Sequence, residues 1–215
     1  MRRKEEAETM FWVIVRFLDI AQRDKVIANR LNIQNSIQIL WYRVVAQDLW
    51  RLANFSEKIA SKVIALESNR RVIGELLLSE ILKISENAHA IAHKAVNSLF
   101  SSDIELANKT IEEYNTLQKM EEQLQEKICS HAYLRGKAFP VSKYFKGKEP
   151  IEPCMIAQLS FIIYCIRRMA ELGSEIAEIA ITKALFKQTM FCRKVPNEVN
   201  TFERDILKSN ETKQK

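Results

Sequence analysis

Three side chains stand at a spacing that suits metal chemistry. Glu86, His89 and His93 fall three and four residues apart, so on a helix they share one face, and a carboxylate with two imidazoles is a ligand set for a zinc or iron ion. A di-iron site of the bundle type needs a second Glu-x-x-His and two further glutamates. The chain has only one such motif and three histidines in all, so the preferred reading is ordinary polar-face histidines, and Glu86, His89 and His93 stand as the single, weak metal candidate. No glycine-rich phosphate loop, no Gly-x-Ser-x-Gly and no Cys–His pair at motif spacing occurs. The four cysteines lie far apart, and two sit in apolar runs, which suits small core hydrophobes in a reducing compartment. The expectation is therefore no enzyme, no catalytic residue and no cofactor.

The second chemical feature is charge. Between Tyr133 and Lys148 stand Arg135, Lys137, Lys143, Lys146 and Lys148 with no acid, so this segment carries +5 of a net +6. A chain-wide basic footprint of the kind that tracks a nucleic-acid backbone is missing. The plain reading is a solvated connector; the sharper one is a docking site for an acidic protein, anionic lipid or nucleic acid, with Tyr133, Phe139, Tyr144 and Phe145 interleaved.

The elements that would position these groups are helices. All four prolines follow residue 139, and Gly74 is the only glycine before Gly136, so the first 130 or so residues lack the punctuation of turn-rich β folds. At 215 residues and 47% apolar composition the chain can bury a sizeable core. Five helical stretches are expected. The first runs from about Arg3 to Ala21 with Phe11, Val15 and Leu18 on one face. A connector leads to Ser36, an N-cap candidate, and a second helix to Leu66 with Trp41, Val45, Leu52, Phe55, Ile59 and Val63 inward. A third opens at Asn69 and carries Leu77, Ile81, Ile84, Ala88, Ile91, Ala95 and Leu99 at near-heptad steps, the pattern of helices packed along their length. Ser102-Asp103 caps a fourth, Ile104 to His131, antiparallel to the third because the connection is so short. Pro150 and Pro153 introduce the fifth, to Gln188, with Gly173 on its seam where a neighbouring backbone approaches closely. The most apolar window, Cys154 to Ile166, is too short to span a bilayer, and a cytoplasmic location is expected.

Arg51, Ala53, Ile59 and Ala60 recur as Arg168, Ala170, Ile176 and Ala177, each 117 positions on, which suggests a duplicated helical unit. Asp48 interrupts the apolar stripe of the second helix. It is expected at the seam's edge facing water, with Arg51 near enough to pair. Trp50 reads as a packing anchor or an exposed contact surface.

Several stretches carry a family resemblance. Asp103 through Glu113 followed by Leu117 looks like the middle helix of a PhoU repeat, the phosphate-uptake regulator family. Leu40 through Asn54 and Arg167 through Ala180 resemble the third helix of its first and second repeats, and Val13-Ile-Val-Arg16, Leu31 and Tyr42-Arg43 follow the archaeal-type form. The resemblance covers about residues 5–188. It implies an all-α fold of two packed antiparallel bundles, the first lacking its opening helix, without the N-terminal swapped-hairpin DNA-binding domain. The expected division is residues 1–66 as a partial first repeat, 69–188 as a second three-helix repeat and 189–215 as a flexible tail.

Family members often hold iron or zinc clusters through carboxylate pairs four residues apart. The corresponding pairs here read Lys4 and Glu8, Trp50 and Asn54, Tyr114 and Gln118, Arg167 and Glu171. Two acids in eight positions are too few to neutralise a multinuclear cluster, so none is expected. The resemblance implies an adaptor acting in phosphate transport or signalling by contact with a transporter or sensor protein, with a homodimer as one arrangement. Trp50 and the basic residues 135, 137, 143, 146 and 148 are the candidate partner-binding groups. The rivals are a nucleic-acid-associated adaptor using the basic segment, and a metal-storage protein or enzyme.

Overall fold

The computed structural model describes residues 2–67, 72–133, 144–145 and 152–192, and of Arg2, 130–133 and 187–192 the backbone alone. Six helices follow one another: α1 (Arg2–Arg23), α2 (Lys25–Arg30), α3 (Ser36–Leu66), α4 (Glu75–Ser101), α5 (Ile104–Tyr133) and α6 (Pro153–Cys192). The described residues form no strand beyond one isolated bridge between Ile73 and Phe145. The fold is all-α, and no described helix is long and apolar enough to cross a membrane.

Helices α4, α5 and α6 pack on one another, and α3 lies along the other side of α6. The core at their centre joins Leu77, Ile84 and Ile91 of α4, Leu117, Leu124 and Ile128 of α5, and Leu159, Ile163 and Ile166 of α6. Above it, Val45 of α3 meets Ala95, Leu99, Ala107, Ile176 and Ala180, residues small enough for four helices to converge. The near-heptad stripe of α4 is buried along its whole length except for half-buried Ile81. Gly173 faces α4: a Cβ there would stand 2.9 Å from Ile91 Cγ2 and 3.1 Å from the Ala92 backbone. The close approach inferred from the seam glycine is thus present, and its partner is α4.

On the far side of α3, α1 packs through Phe11 and Val15 against Ala46 and Trp50. Leu18 and Ala21 close over Ile33, with α2 and Ile39 around them. The chain between α1 and α3 is not a plain connector. Asp24 Oδ1 accepts from the Val26 and Ile27 amides at 2.7 and 3.4 Å and opens α2, beyond whose C-cap Leu31 the chain turns through Asn32 in the left-handed conformation, φ 56°. Contacts between α3 and α6 are antiparallel: Trp41 meets Phe186, Tyr42 lies under Lys183, Ser56 meets Met169 and Lys62 covers Phe161.

Four expectations need correction. The N-cap of α3 is Asn35, whose Oδ1 accepts from the Gln38 amide at 3.0 Å while Gln38 Oε1 accepts from the Gln34 amide; Ser36 is the first helical residue. Helix α4 begins at Glu75, because Ile73 pairs with Phe145 and the Gly74 amide donates to the Tyr144 carbonyl at 2.8 Å, holding Gly74 extended. Asn69 lies outside the described residues. Val63 is half exposed rather than inward, since α6 and α1 both pass it by. Helix α6 continues beyond Gln188 to Cys192, and residues 193–215 lie outside the described range. The Ser102–Asp103 connection holds as expected: Ser102 is left-handed, φ 57°, and Asp103 Oδ1 accepts from the Leu106 amide at 2.9 Å.

Candidate functional site

The residues with metal-binding chemistry do not converge. Glu86, His89 and His93 are all exposed on the outer face of α4. The two imidazoles stack at 6.5 Å between centroids, and His93 Nδ1 pairs with Asn97 at 3.2 Å. Among the described residues no three His, Cys, Asp or Glu side chains come together around one point.

At the positions that the family resemblance marks for metal, the side chains hold one another. Glu171 of α6 takes a bond from Arg167 Nη1 at 3.0 Å and another from Arg168. The Arg167 Nε also reaches across to the Glu121 carboxylate of α5 at 4.0 Å, and its guanidinium lies 5.5 Å from the Tyr164 ring. On the other half, Lys4 of α1 pairs with Glu57 of α3 at 2.8 Å. That hydrogen bond raises the Lys4 pKa and lowers that of Glu57. Trp50 stacks on Phe11 at 5.4 Å with the planes 17° apart, and Tyr114 lies against the central core. In both halves, then, a cation on one helix and a carboxylate on its neighbour link adjacent helices. A donor set already neutralised by its own cations does not fit a multinuclear cluster, which needs several free carboxylates facing one point.

Trp50 is half buried between α1 and α3, and its Nε1 is enclosed without a hydrogen-bond partner. Phe11 engages one face of its ring. Of the basic segment, Arg135, Lys137, Lys143, Lys146 and Lys148 lie outside the described residues. Tyr144 and Phe145 do not. Phe145 is buried in the central core, and the Tyr144 hydroxyl donates to Glu80 at 3.3 Å beneath Lys127. These two aromatics are therefore engaged by the bundle and are not free to stack on a ligand.

Two buried charges were missed or misplaced by the sequence reading. Lys183 donates from Nζ to the Leu99 carbonyl at 3.0 Å, near the C-terminus of α4 where orphan carbonyls and the helix dipole favour a cation; burial lowers its pKa. Its only signal in the sequence is one lysine among the small apolar residues of the α6 seam. Asp48 is 1% exposed, not at the water-facing edge. Burial, reinforced by the Glu175 charge on α6, pushes its carboxyl up to about 6, against the opposing pull of Arg51 at 3.7 Å. Its Oδ2 has no hydrogen-bond partner.

The family model described as PhoU domain matches residues 81–180, from within α4 through α5 to within α6. Over those residues the chain is similar to the PhoU domain, a family associated with the regulation of phosphate transport. No curated protein and no solved structure gave a match.

Proposed function

We propose that this chain, similar to the PhoU domain over residues 81–180, is a cytoplasmic regulatory adaptor that acts in phosphate transport or phosphate signalling by contacting a transporter or sensor protein. The observation that carries the reading is the state of the former cluster positions. Lys4, Arg167 and Glu171 stand there in ion pairs that reach Glu57 and Glu121, and Trp50 and Tyr114 as packed aromatics. Such a scaffold keeps the helical surfaces of the family while giving up the ion, so contact is the work left to it. No catalytic residue and no cofactor enters this reading.

The basic segment supports the contact role. Of this segment Phe145 and Tyr144 pack against the α4–α6 bundle, and its +5 charge suits an acidic partner surface. The test is affinity capture from native cell extract under phosphate-rich and phosphate-poor conditions. Enrichment of transport or sensor components that changes with phosphate, and its loss when Arg135, Lys137, Lys143, Lys146 and Lys148 are reversed in charge, is the expected result. No such enrichment in either condition refutes the role. Binding to duplex DNA that falls steeply with salt and vanishes on the same charge reversal would replace it with a nucleic-acid adaptor.

A further inference from the structure

Helices α1–α3 join the α4–α6 bundle along α6: among the described residues α1 packs on α3 and α2, and α3 packs between α1 and α6. A carboxyl group sits inside that seam. Tyr42 under Lys183 and Ser56 against Met169 mark the register, fourteen residues apart on each helix, so Asp48, six residues after Tyr42, lies level with Ala177. Val45 one turn before it and Ile176, Ala177 and Ala180 across the seam are apolar and buried. Asp48 itself is 1% exposed, and its Oδ2 is enclosed with no hydrogen-bond partner.

The charged groups around it do not compensate it. From α6 comes Glu175, of the same sign, while Arg168 is held by Glu171 and Lys183 is turned to the Leu99 carbonyl. On its own helix the half-exposed Arg51 stands 3.7 Å from Oδ1. Helix α1, on the other side of α3, presents Phe11 and Val15 at this level. A buried carboxyl with one oxygen unmet is at home in the seam as the neutral acid, and as the anion it must recover water.

We infer that the proton on Asp48 latches the α1–α3 unit onto the bundle: its loss, with Glu175 opposite, shifts the seam toward opening while α4, α5 and α6 stay packed on one another. Burial, then the Glu175 charge, pushes the Asp48 carboxyl up to about 6 in the closed seam, against 3.8 once water reaches it. Opening therefore releases a proton between these values. It becomes easier as pH rises from about 4 to about 6 and levels off above. A helix freed from its packing frays, so the backbone amides of α3 report each opening.

The inference goes beyond the regulatory reading, and its test uses neither phosphate nor a partner. Hydrogen exchange is followed on the full chain from about pH 4.5 to 8, each rate divided by the intrinsic rate of that amide. The amides of α3 between Tyr42 and Ser56 should open about tenfold more at pH 7.5 than at pH 5, with those of α5 unchanged. Asp48→Asn should remove the dependence and protect α3 at pH 7.5 at least as well as the wild type at pH 5. Glu175→Gln, which takes away the opposing charge, should protect α3 better than the wild type at pH 7.5. Exchange in α3 that ignores pH, a dependence that survives Asp48→Asn, no gain from Glu175→Gln, or equal acceleration of α3 and α5, the mark of whole-chain unfolding, overturns the inference.

Discussion

Replacing Asp48 by asparagine should make this protein more stable at neutral pH, the reverse of what deleting half of an ion pair usually does. The carboxyl is 1% exposed, its Oδ2 lacks a hydrogen bond, Arg51 stands at 3.7 Å, and the nearby Glu175 repels it. Its pKa is raised to about 6 from an ordinary value of 3.8. A raised acid works against folding above its folded pKa, where both states are ionised and only the folded one buries the charge. As pH falls through 6 the folded group binds a proton while the unfolded group stays ionised, so stability rises until about pH 4 and then levels. At 1.36 kcal/mol per unit the cost at pH 7.5 is about 3 kcal/mol. Urea melts of the wild type and Asp48→Asn at intervals from pH 4 to 8 isolate the group, because the acid-sensitive pairs such as Lys4–Glu57 cancel in the difference. Asp48→Asn should gain about 2–3 kcal/mol at pH 7.5, shrinking to about 1 kcal/mol at pH 4.5 and further by pH 4. A variant that is destabilised at pH 7.5, or a difference that does not change with pH, refutes the reasoning.

Three more outcomes follow from the packing and the ion pairs. Gly173→Val should lower the melting temperature sharply and Gly173→Ala less, because any Cβ meets Ile91 and the Ala92 backbone; a valine variant melting with the wild type would show that α4 can move aside. Phe145→Ala should cost about 3–5 kcal/mol in chemical denaturation, since Phe145 is 4% exposed in the central core. Protein purified without chelators or a metal-affinity tag should carry only trace iron and zinc by elemental analysis; stoichiometric clustered metal would refute the argument from Arg167, Lys4 and Trp50.

Much of the fold was legible because helix packing writes itself into short-range spacing. The α4 stripe, the inward face of α1, the tight Ser102–Asp103 turn and the demand of Gly173 for a near neighbour all depend on residues within a few turns of one another. The PhoU resemblance rests on the same local words and on their order. Periodicity also marks which side of α1 is apolar twice over, though it does not say which of the two sides α3 covers.

The tertiary structure decided what depends on distant partners. The start of α4 is set by Phe145, some seventy residues downstream, through one bridge and one amide bond at Gly74. Whether Asp48 faces water or another carboxylate depends on where α6 crosses α3, and the same crossing brings Lys183 under the end of α4. The candidate site divides in the same way: residue type alone removed most acids from the cluster positions, but only the approach of neighbouring helices joined Lys4 to Glu57 and Arg167 to Glu121. A helix's period is set by its own backbone bonds, whereas the identity of the group across an interface is set by chain connectivity and packing.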